Sequence, residues 1–422
     1  DKLVKRVNEA SPEMKVMEVH GSLIQNASTD LVEELAFSMA MASDYMAILS
    51  EKGIDPFTAQ EAILLYLASG PNYFMEIAKL RAARILWSKI AEAYGVAATQ
   101  TYIRIHSVSS QWNMTLYDPH VNMLRGTTEA MSSILGGADL VNVLPYDYPN
   151  GKGSKFSDRI ARNVQIILRE EAYFDQVADP ASGSYYIESL TDSIAEKAWD
   201  LFCEVESMGG FRKAFALGWI QDKAEASRKL KIDRAASGKG RILGTNAYPN
   251  FHELNLHQLI KAPEKDLPDT ADSIFRPLHT FRLSSSFEKL RLDTERSPKR
   301  PRVLLFKYGN QAWMTARATF AANFFACAGY ELVDHLPFES IEEGIEFATT
   351  GTFDIVALCS SDDSYGDFAP AVHEALSGLS MVVVAGYPAD NIHELKKAGL
   401  EHFIHRNCNV LETLNGFNKQ LL

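Results

Sequence analysis

The sequence predicts an α/β protein with two parallel β-sheets: half of a TIM-type (β/α)8 barrel, followed by a flavodoxin-like, doubly wound domain. Over about the first 250 residues, short β-rich runs alternate with amphipathic helical stretches, the pattern of parallel strands joined by helices. After Arg302 the same alternation restarts with five shorter runs. A charged, proline-punctuated segment lies between them. We therefore expect a partial barrel at 1–214, a linker with helices at 215–300 and a second domain at 301–422.

The first region supplies too few strands to close a barrel. Three runs predict strands: Val16–Leu23, Tyr102–Val108 and Leu140–Leu144. A weaker run near Ser184–Ile187 brings the number of predicted strands to about four. A closed parallel barrel needs eight strand–helix units and about 250 residues. After Lys155, apolar residues recur at the spacing of one buried helix face: Phe156, Ile160, Val164 and Ile167. These patterns predict half a barrel.

The second region has a more regular rhythm. Five runs predict strands, each separated from the next by a helical segment: Val303–Phe306, Glu331–His335, Asp354–Cys359, Met381–Ala385 and His402–His405. Ser340 and Glu343 form the pattern of a capping box ahead of one of the helices. In a doubly wound domain, ligands bind outside the carboxyl ends of the strands, so the turn after the first strand is the expected site. Prolines interrupt the segment before this domain, at Pro263, Pro268, Pro277 and Pro298.

Composition excludes several classes of protein. The 422 residues include 54 acidic and 42 Lys/Arg side chains, a net charge of −12, which argues against a nucleic-acid partner. No apolar run approaches the length of a membrane span, and no signal peptide is visible. The four cysteines lie far apart, so we expect no metal site, no disulfide framework and a cytoplasmic protein. Since the chain opens at Asp1, we also expect it to be a fragment.

Five stretches resemble the methylmalonyl-CoA mutase family: Gln111–Met131, Phe156–Asn163, Asp179–Thr191, Glu204–Gly210 and Gly244–Tyr248. The resemblance runs through essentially the whole chain. It implies an acyl-CoA-binding barrel, a linker and a C-terminal cobalamin domain, with adenosylcobalamin supplying the radical chemistry that interconverts methylmalonyl-CoA and succinyl-CoA. By this resemblance Asp1 falls about midway through the barrel, so that the chain carries its C-terminal half.

The resemblance fails at the positions that hold the cofactor. Family cobalamin domains carry Asp-x-His-x-x-Gly after the first strand, and its His ligates cobalt. The positions of the Asp, His and Gly are here occupied by Gln311, Trp313 and Ala316. An indole nitrogen has no available lone pair and cannot be an axial ligand. The Ser-x-Leu and Gly-Gly elements, which line the nucleotide tail of the cofactor, are also eroded, at Cys359, Ser361, Ala385 and Gly386.

The barrel lacks a family residue as well. Active members carry a His that contacts the substrate carbonyl, and the aligned position is Asn142, which cannot titrate. Arg104, at the end of its strand, and Lys307, just before the cobalamin motif, are retained. A retained arginine fits a structural ion pair as well as a relic of CoA binding.

These losses lead to three hypotheses. The first is a non-catalytic small subunit that binds no cofactor and supports a homologous large subunit, which carries adenosylcobalamin, in a heterodimer. The second is a divergent acyl-CoA mutase that binds cobalamin without an axial His. The third is a stand-alone acyl-CoA-binding protein. The simultaneous loss of several cofactor-facing elements favours the first hypothesis, and saturable cobalamin binding by the pure chain would favour the second.

Overall fold

The computed structural model describes residues 2–11, 14–27, 29–151, 153–255 and 275–422. They form two compact units. The first comprises the described residues of Asp1–Met114, Pro119–Lys231 and Lys261–Leu283. The second comprises those of Thr115–Asp118, Ile232–Ile260 and Ser284–Leu422. Two prolines of the predicted linker, Pro263 and Pro268, lie outside the described residues.

Ten α-helices and four strands make up the chain as far as Ala236 in its described residues. The helices are α1 (Lys2–Ala10), α2 (Gly21–Asn26), α3 (Leu31–Glu51), α4 (Pro56–Glu61), α5 (Tyr73–Ala93), α6 (Val121–Leu135), α7 (Lys155–Glu170), α8 (Tyr185–Ser207), α9 (Phe211–Ala216) and α10 (Trp219–Ala236). The strands are β1 (Met17–His20), β2 (Ile63–Ser69), β3 (Arg104–Ser109) and β4 (Leu140–Asn142). They form one parallel sheet in the order β1-β2-β3-β4.

Two of the strand predictions for this sheet need correction. Ile63–Ser69 forms β2, which the sequence analysis missed because a continuous apolar run has no alternation that would distinguish it from a buried helix. The weak strand predicted near Ser184–Ile187 is wrong: Ser184 is the N-cap of α8, and the following aromatic pair begins that helix. The sheet therefore has four strands in the described residues, the number that was predicted, but one of them is Ile63–Ser69 and not the segment near Ser184.

The two faces of this sheet differ in burial. Val19, Leu65 and Ile105 point to one face, are 0% exposed and belong to a large apolar core built with the helices. Alternate residues point to the opposite face, since side chains alternate along a strand. On that opposite face Glu18 and His20 are exposed. The first unit thus has one buried sheet face and one open face.

Helix α7 forms where the sequence predicted it, but its buried face agrees with the prediction only in part. Phe156 is 61% exposed and Ile167 48% exposed, although both belong to the face that was predicted to be buried. The helix packs through Ala161 and Leu168, which join Ala130 of α6 in a small apolar cluster, and Val164 of the predicted face packs against this cluster. A small residue such as Ala161 lets the two helices approach closely, and this contact decides which face is buried.

The remaining elements run from α11 to the end of the chain. The helices are α11 (Ser285–Arg296), α12 (Gln311–Ala326), α13 (Ile341–Thr350), α14 (Tyr365–Ala375), α15 (Ile392–Lys397) and α16 (Val410–Leu421). The strands are β5 (Arg302–Lys307), β6 (Glu331–Val333), β7 (Ile355–Cys359), β8 (Met381–Val384) and β9 (His402–Phe403). All five predicted strands are present and form a parallel sheet in the order β6-β5-β7-β8-β9. At the start of α13, Ser340 Oγ accepts from the Glu343 amide at 3.1 Å, which is one half of the predicted capping box. The Glu343 carboxylate accepts from the Glu339 amide at 2.8 Å, and not from the Ser340 amide as the other half requires.

Candidate functional site

The predicted cofactor positions gather at the carboxyl edge of the second sheet. Strand β5 ends at Lys307, and Asn310 then caps α12 by accepting from the Ala312 and Trp313 amides at 3.1 and 3.3 Å. Trp313 is 53% exposed in the first turn of the helix. Gln311 and Ala316 are exposed beside it. The three residues at the family's Asp, His and Gly positions therefore lie together on one exposed helix end.

Two ion pairs lie at this edge. The Arg317 guanidinium contacts the Trp313 ring, 5.7 Å from its centroid, and Arg317 Nη2 donates to Asp362 Oδ1 at 2.8 Å. The Lys307 ammonium lies 2.7 Å from Asp334 Oδ1. Both cations are held by carboxylates of the same unit, and of the two only Lys307 is a retained family residue.

Tyr365 occupies the space between the ends of β7 and β8. Its side chain is 0% exposed, and its hydroxyl oxygen accepts from the Ser360 amide at 3.0 Å. The same hydroxyl lies 3.2 Å from the Leu358 carbonyl and 3.0 Å from the Ala385 carbonyl. One ring thus ties two neighbouring strand ends together. Burial raises the pKa of the Tyr365 hydroxyl, which keeps it neutral.

The eroded tail-binding elements lie against this ring. Cys359 ends β7 and is 0% exposed, and burial raises the pKa of its thiol. Ser361 Oγ pairs with Ser364 Oγ at 2.7 Å. Ala385 is buried just after β8, and a Cβ at Gly386 would lie 2.8 Å from Asp362 Oδ1 and 3.1 Å from the Tyr365 ring. The glycine that remains therefore makes room for this chain's own side chains.

The open face of the first sheet carries a row of aromatic and titratable groups. His20, Tyr66 and His106 lie in register on three neighbouring strands. The Tyr66 ring meets both histidine rings edge to face, with centroid distances of 5.1 and 4.7 Å. Glu18 Oε1 lies 3.3 Å from His20 Nε2. Burial lowers the pKa of His106, against the opposing effect of Glu18.

The two predicted residues of this sheet lie apart. Asn142, at the carboxyl end of β4, is exposed. Arg104 is the first residue of β3, at its amino end rather than near the carboxyl end where parallel barrels carry their active sites. In the registers, Arg104 pairs with Leu64, whereas Asn142 pairs with Val108, four residues further along β3. The structure does not bring Arg104 and Asn142 into one site.

Sequence reasoning missed the side chains that fill these two regions. Tyr365 and Asp362 lie outside every motif that was compared, and Tyr66 lies on the strand that was not recognised. The sequence does contain one indication of the role of Tyr365: it is a large aromatic residue six positions after the last residue of a predicted strand, close to the eroded elements.

In the described part of the chain, no three His, Cys, Asp or Glu side chains are grouped so as to hold a metal ion. None of the described helices is long and apolar enough to cross a membrane.

The fold places the chain in a structural class: it is an α/β protein with two units, each built on a parallel sheet. Comparison with known proteins then identifies the family. The family model described as methylmalonyl-CoA mutase matches residues 2–282. The chain therefore belongs to the methylmalonyl-CoA mutase family.

Three similar proteins cover nearly the whole chain. The methylmalonyl-CoA mutase small subunit of Porphyromonas gingivalis is 42% identical over 96% of this chain and 66% of its own length. The small subunit of Streptomyces virginiae is 34% identical over 98% of this chain and 65% of its own length. A probable small subunit of Mycobacterium bovis is 35% identical over 97% of this chain and 65% of its own length. The chain thus spans about two thirds of the length of these relatives.

Proposed function

We propose that this chain acts as the non-catalytic small subunit of a methylmalonyl-CoA mutase. In this proposal it supports a homologous large subunit, which binds adenosylcobalamin and converts methylmalonyl-CoA to succinyl-CoA. The proposal rests on relatives that are themselves named small subunits. The observation that carries the non-catalytic role is Trp313 on the exposed first turn of α12, at the position of the family's cobalt ligand.

The finer architecture belongs to the same proposal. We infer that residues 1–214 are half of a (β/α)8 barrel, that 215–300 are a linker, and that 301–422 are a flavodoxin-like domain of the cobalamin-binding type. The parallel four-stranded order of the first sheet supports the half barrel. The order β6-β5-β7-β8-β9 supports the second assignment, because it is the 2-1-3-4-5 order of flavodoxin-like sheets.

The residues at the second sheet's edge do not fit a corrinoid. An axial ligand needs a lone pair, and the indole of Trp313 offers none. The buried ring of Tyr365 and the Arg317–Asp362 pair occupy the space beside Gly386. We therefore assign no cofactor and no metal to this chain and no catalytic step to this edge.

The first sheet supports the same conclusion. Asn142 has no proton to exchange near neutral pH. Of the retained cations, Lys307 is paired with Asp334 and is 15% exposed, which favours a structural role. Arg104 is the candidate relic of a vestigial acyl-CoA site. We propose no nucleic-acid or membrane partner, and four free cysteines agree with the reducing cytoplasm.

A cobalamin titration tests the proposal. The chain alone, a large subunit alone and their mixture are titrated with adenosylcobalamin and followed by absorbance. We expect no spectral change with the chain alone, saturable binding with the large subunit, and co-elution of the two proteins in size-exclusion chromatography. Saturable micromolar binding by the chain alone would support the divergent mutase instead.

A rebuilt motif sharpens this test. The variant Gln311→Asp/Trp313→His/Ala316→Gly restores all three family side chains at the helix end. We expect it still not to bind the cofactor, because Tyr365 and the Arg317–Asp362 pair remain in place. The matched control makes the same His substitution at another tryptophan, Trp219→His in α10. Binding by the rebuilt variant alone would show that the axial position is the single obstacle.

A further inference from the structure

Four residues between β3 and α6 belong to the second unit. We call Thr115–Asp118 the strap. Its neighbours on either side, Met114 and Pro119, belong to the first unit. Thr115 is 0% exposed, Leu116 2% and Tyr117 1%, so the strap is part of an interior and not a surface loop.

Side chains of the second unit bind the backbone of the strap. Glu288 Oε1 accepts from the Leu116 amide at 2.7 Å, and both oxygens of Glu253 lie 2.9 Å from the Asp118 amide. Asn255 Nδ2 donates to the Leu116 carbonyl at 3.3 Å. Together these contacts satisfy three buried or partly buried backbone groups of the strap, which would otherwise lose their hydrogen bonds to water. The strap is bound by side chains, as a peptide ligand is bound by a receptor.

Tyr117 anchors the strap. Its hydroxyl donates to Glu295 Oε1 at 2.9 Å, and the Arg291 guanidinium lies 4.2 Å from its ring centroid. Arg291 is fixed in turn by the carbonyls of Asn250 and Glu253, each 2.6 Å from Nη2. A buried aromatic side chain held by a cation and a carboxylate is the kind of contact that dominates peptide-binding energy.

The backbone fits the strap closely as well. Asp118 has φ +50°, a left-handed conformation that a non-glycine residue adopts at a cost. Gly244, with φ +79°, passes beside it, and a Cβ there would lie 2.8 Å from Asp118 Cβ. Both residues thus adopt unusual conformations where the strap leaves its site.

From these contacts we infer that the second unit contains a peptide-binding site, filled in cis by the strap, that couples this unit mechanically to the end of β3 and the start of α6. The covalent connections are short: Ser110–Met114 joins β3 to the strap, and Pro119 and His120 lead into α6. The first is folded into a turn in which the Met114 amide donates to the Gln111 carbonyl at 3.2 Å, and after the second the Asn122 amide donates to the Pro119 carbonyl at 2.9 Å. Neither connection can lengthen without losing a hydrogen bond. A displacement of the strap must therefore reach both elements, and a shift at the end of β3 must reach the strap.

Hydrogen–deuterium exchange on the full chain tests this inference. The variant Tyr117→Phe removes one buried hydroxyl and keeps the ring over Arg291. The control Tyr330→Phe makes the same change elsewhere in the second unit, where the Tyr330 hydroxyl donates to Asn418 Oδ1 at 2.7 Å. We expect about tenfold faster exchange in Tyr117→Phe at the strap amides and in both flanks, Gln111–Met114 and Val121–Met123. In Tyr330→Phe these segments should exchange at the wild-type rate.

Three outcomes would overturn the inference. Faster exchange at the strap with unchanged flanks would mean that the strap is bound but transmits nothing. Equal acceleration of the flanks by both variants would mean a general loosening of the unit. Unchanged exchange at the strap itself would mean that the Tyr117 hydroxyl does not anchor it. A second variant, Gly244→Ala, places a methyl carbon 2.8 Å from Asp118 Cβ and should accelerate exchange in the same two flanks.

Discussion

At the scale of single residues, the feature that most constrains the first unit is a buried ammonium group. Lys79 is 0% exposed, and its Nζ lies 2.6 Å from Glu34 Oε2 and 2.6 Å from Glu76 Oε2. Burial alone lowers the pKa of Lys79, but the two carboxylates outweigh it and hold the pKa above its ordinary value. The Lys79 ammonium therefore connects three elements: α3, its own helix α5, and the end of β2.

Replacing this lysine should be costly. Lys79→Met keeps the length of the side chain but leaves Glu34 and Glu76 buried without their cation. We expect the free energy of unfolding to fall by about 3–5 kcal/mol, as for other broken buried pairs. Urea denaturation followed by circular dichroism measures it.

The matched control is Lys299→Met. Lys299 pairs with Asp354 but its side chain is 64% exposed, so solvent screens the pair. Its loss should change the free energy of unfolding by less than about 1 kcal/mol. Equal losses in the two variants would contradict the role given to Lys79.

At the scale of elements, helix α13 contains a glycine that packing requires. A Cβ at Gly344 would lie 2.3 Å from Phe306 Cζ and 3.1 Å from Phe338 Cδ2. Glycine weakens a helix interior by up to about 1 kcal/mol relative to alanine. Close packing of α13 against β5 therefore outweighs helix propensity at this position.

Alanine substitutions at two helical glycines should have opposite signs. Gly344→Ala should lower the free energy of unfolding by about 1–3 kcal/mol, because the added methyl group overlaps two aromatic rings. Gly416→Ala in α16 meets no atom within 4 Å, so it should raise the free energy by about 0.5–1 kcal/mol. Thermal and urea unfolding of both variants give the comparison. A stabilised Gly344→Ala would mean that α13 can move away from Phe306.

At the scale of the whole molecule, a buried carboxyl group connects stability to pH. Burial raises the pKa of Glu129 to about 8, partly offset by the Asn113 amide. This group holds a proton more tightly in the folded chain than in the unfolded one. Its contribution to stability is complete below the unfolded pKa of 4.5 and is lost as pH rises through the folded pKa.

The variant Glu129→Gln isolates this effect, since an amide of the same shape does not titrate. Between pH 5 and 8, we expect wild type to lose up to about 1.4 kcal/mol per pH unit relative to Glu129→Gln. Unfolding by urea at several pH values measures the difference. The control Glu196→Gln, at an exposed position of α8, should run parallel to wild type. A difference independent of pH would mean that Glu129 is ionised in the folded protein.

The structure of a segment could be predicted where it depends on the residues of that segment alone, and not where it depends on a distant packing partner. The five strands of the second sheet are short apolar runs with turns between them, and all five were predicted. Strand β2 was missed because its continuous apolar run matches a buried helix equally well. The buried face of α7 was predicted only in part. Val164 packs against the cluster shared with α6, but Phe156 and Ile167 are exposed, because their spacing carries no information about the partner helix.

The sequence by itself determined which side chains stand at the family's functional positions. Trp313 lacks a nitrogen lone pair in any fold, so the proposal that this side chain is not an axial ligand rests on chemistry alone. Only the tertiary structure decided what fills the edge of the second sheet, that Arg104 and Asn142 lie apart, and that the strap belongs to the second unit. These three features depend on contacts between residues distant in the chain, such as Tyr117 and Glu295. The packing of whole elements sets such contacts, so no short sequence pattern predicts them.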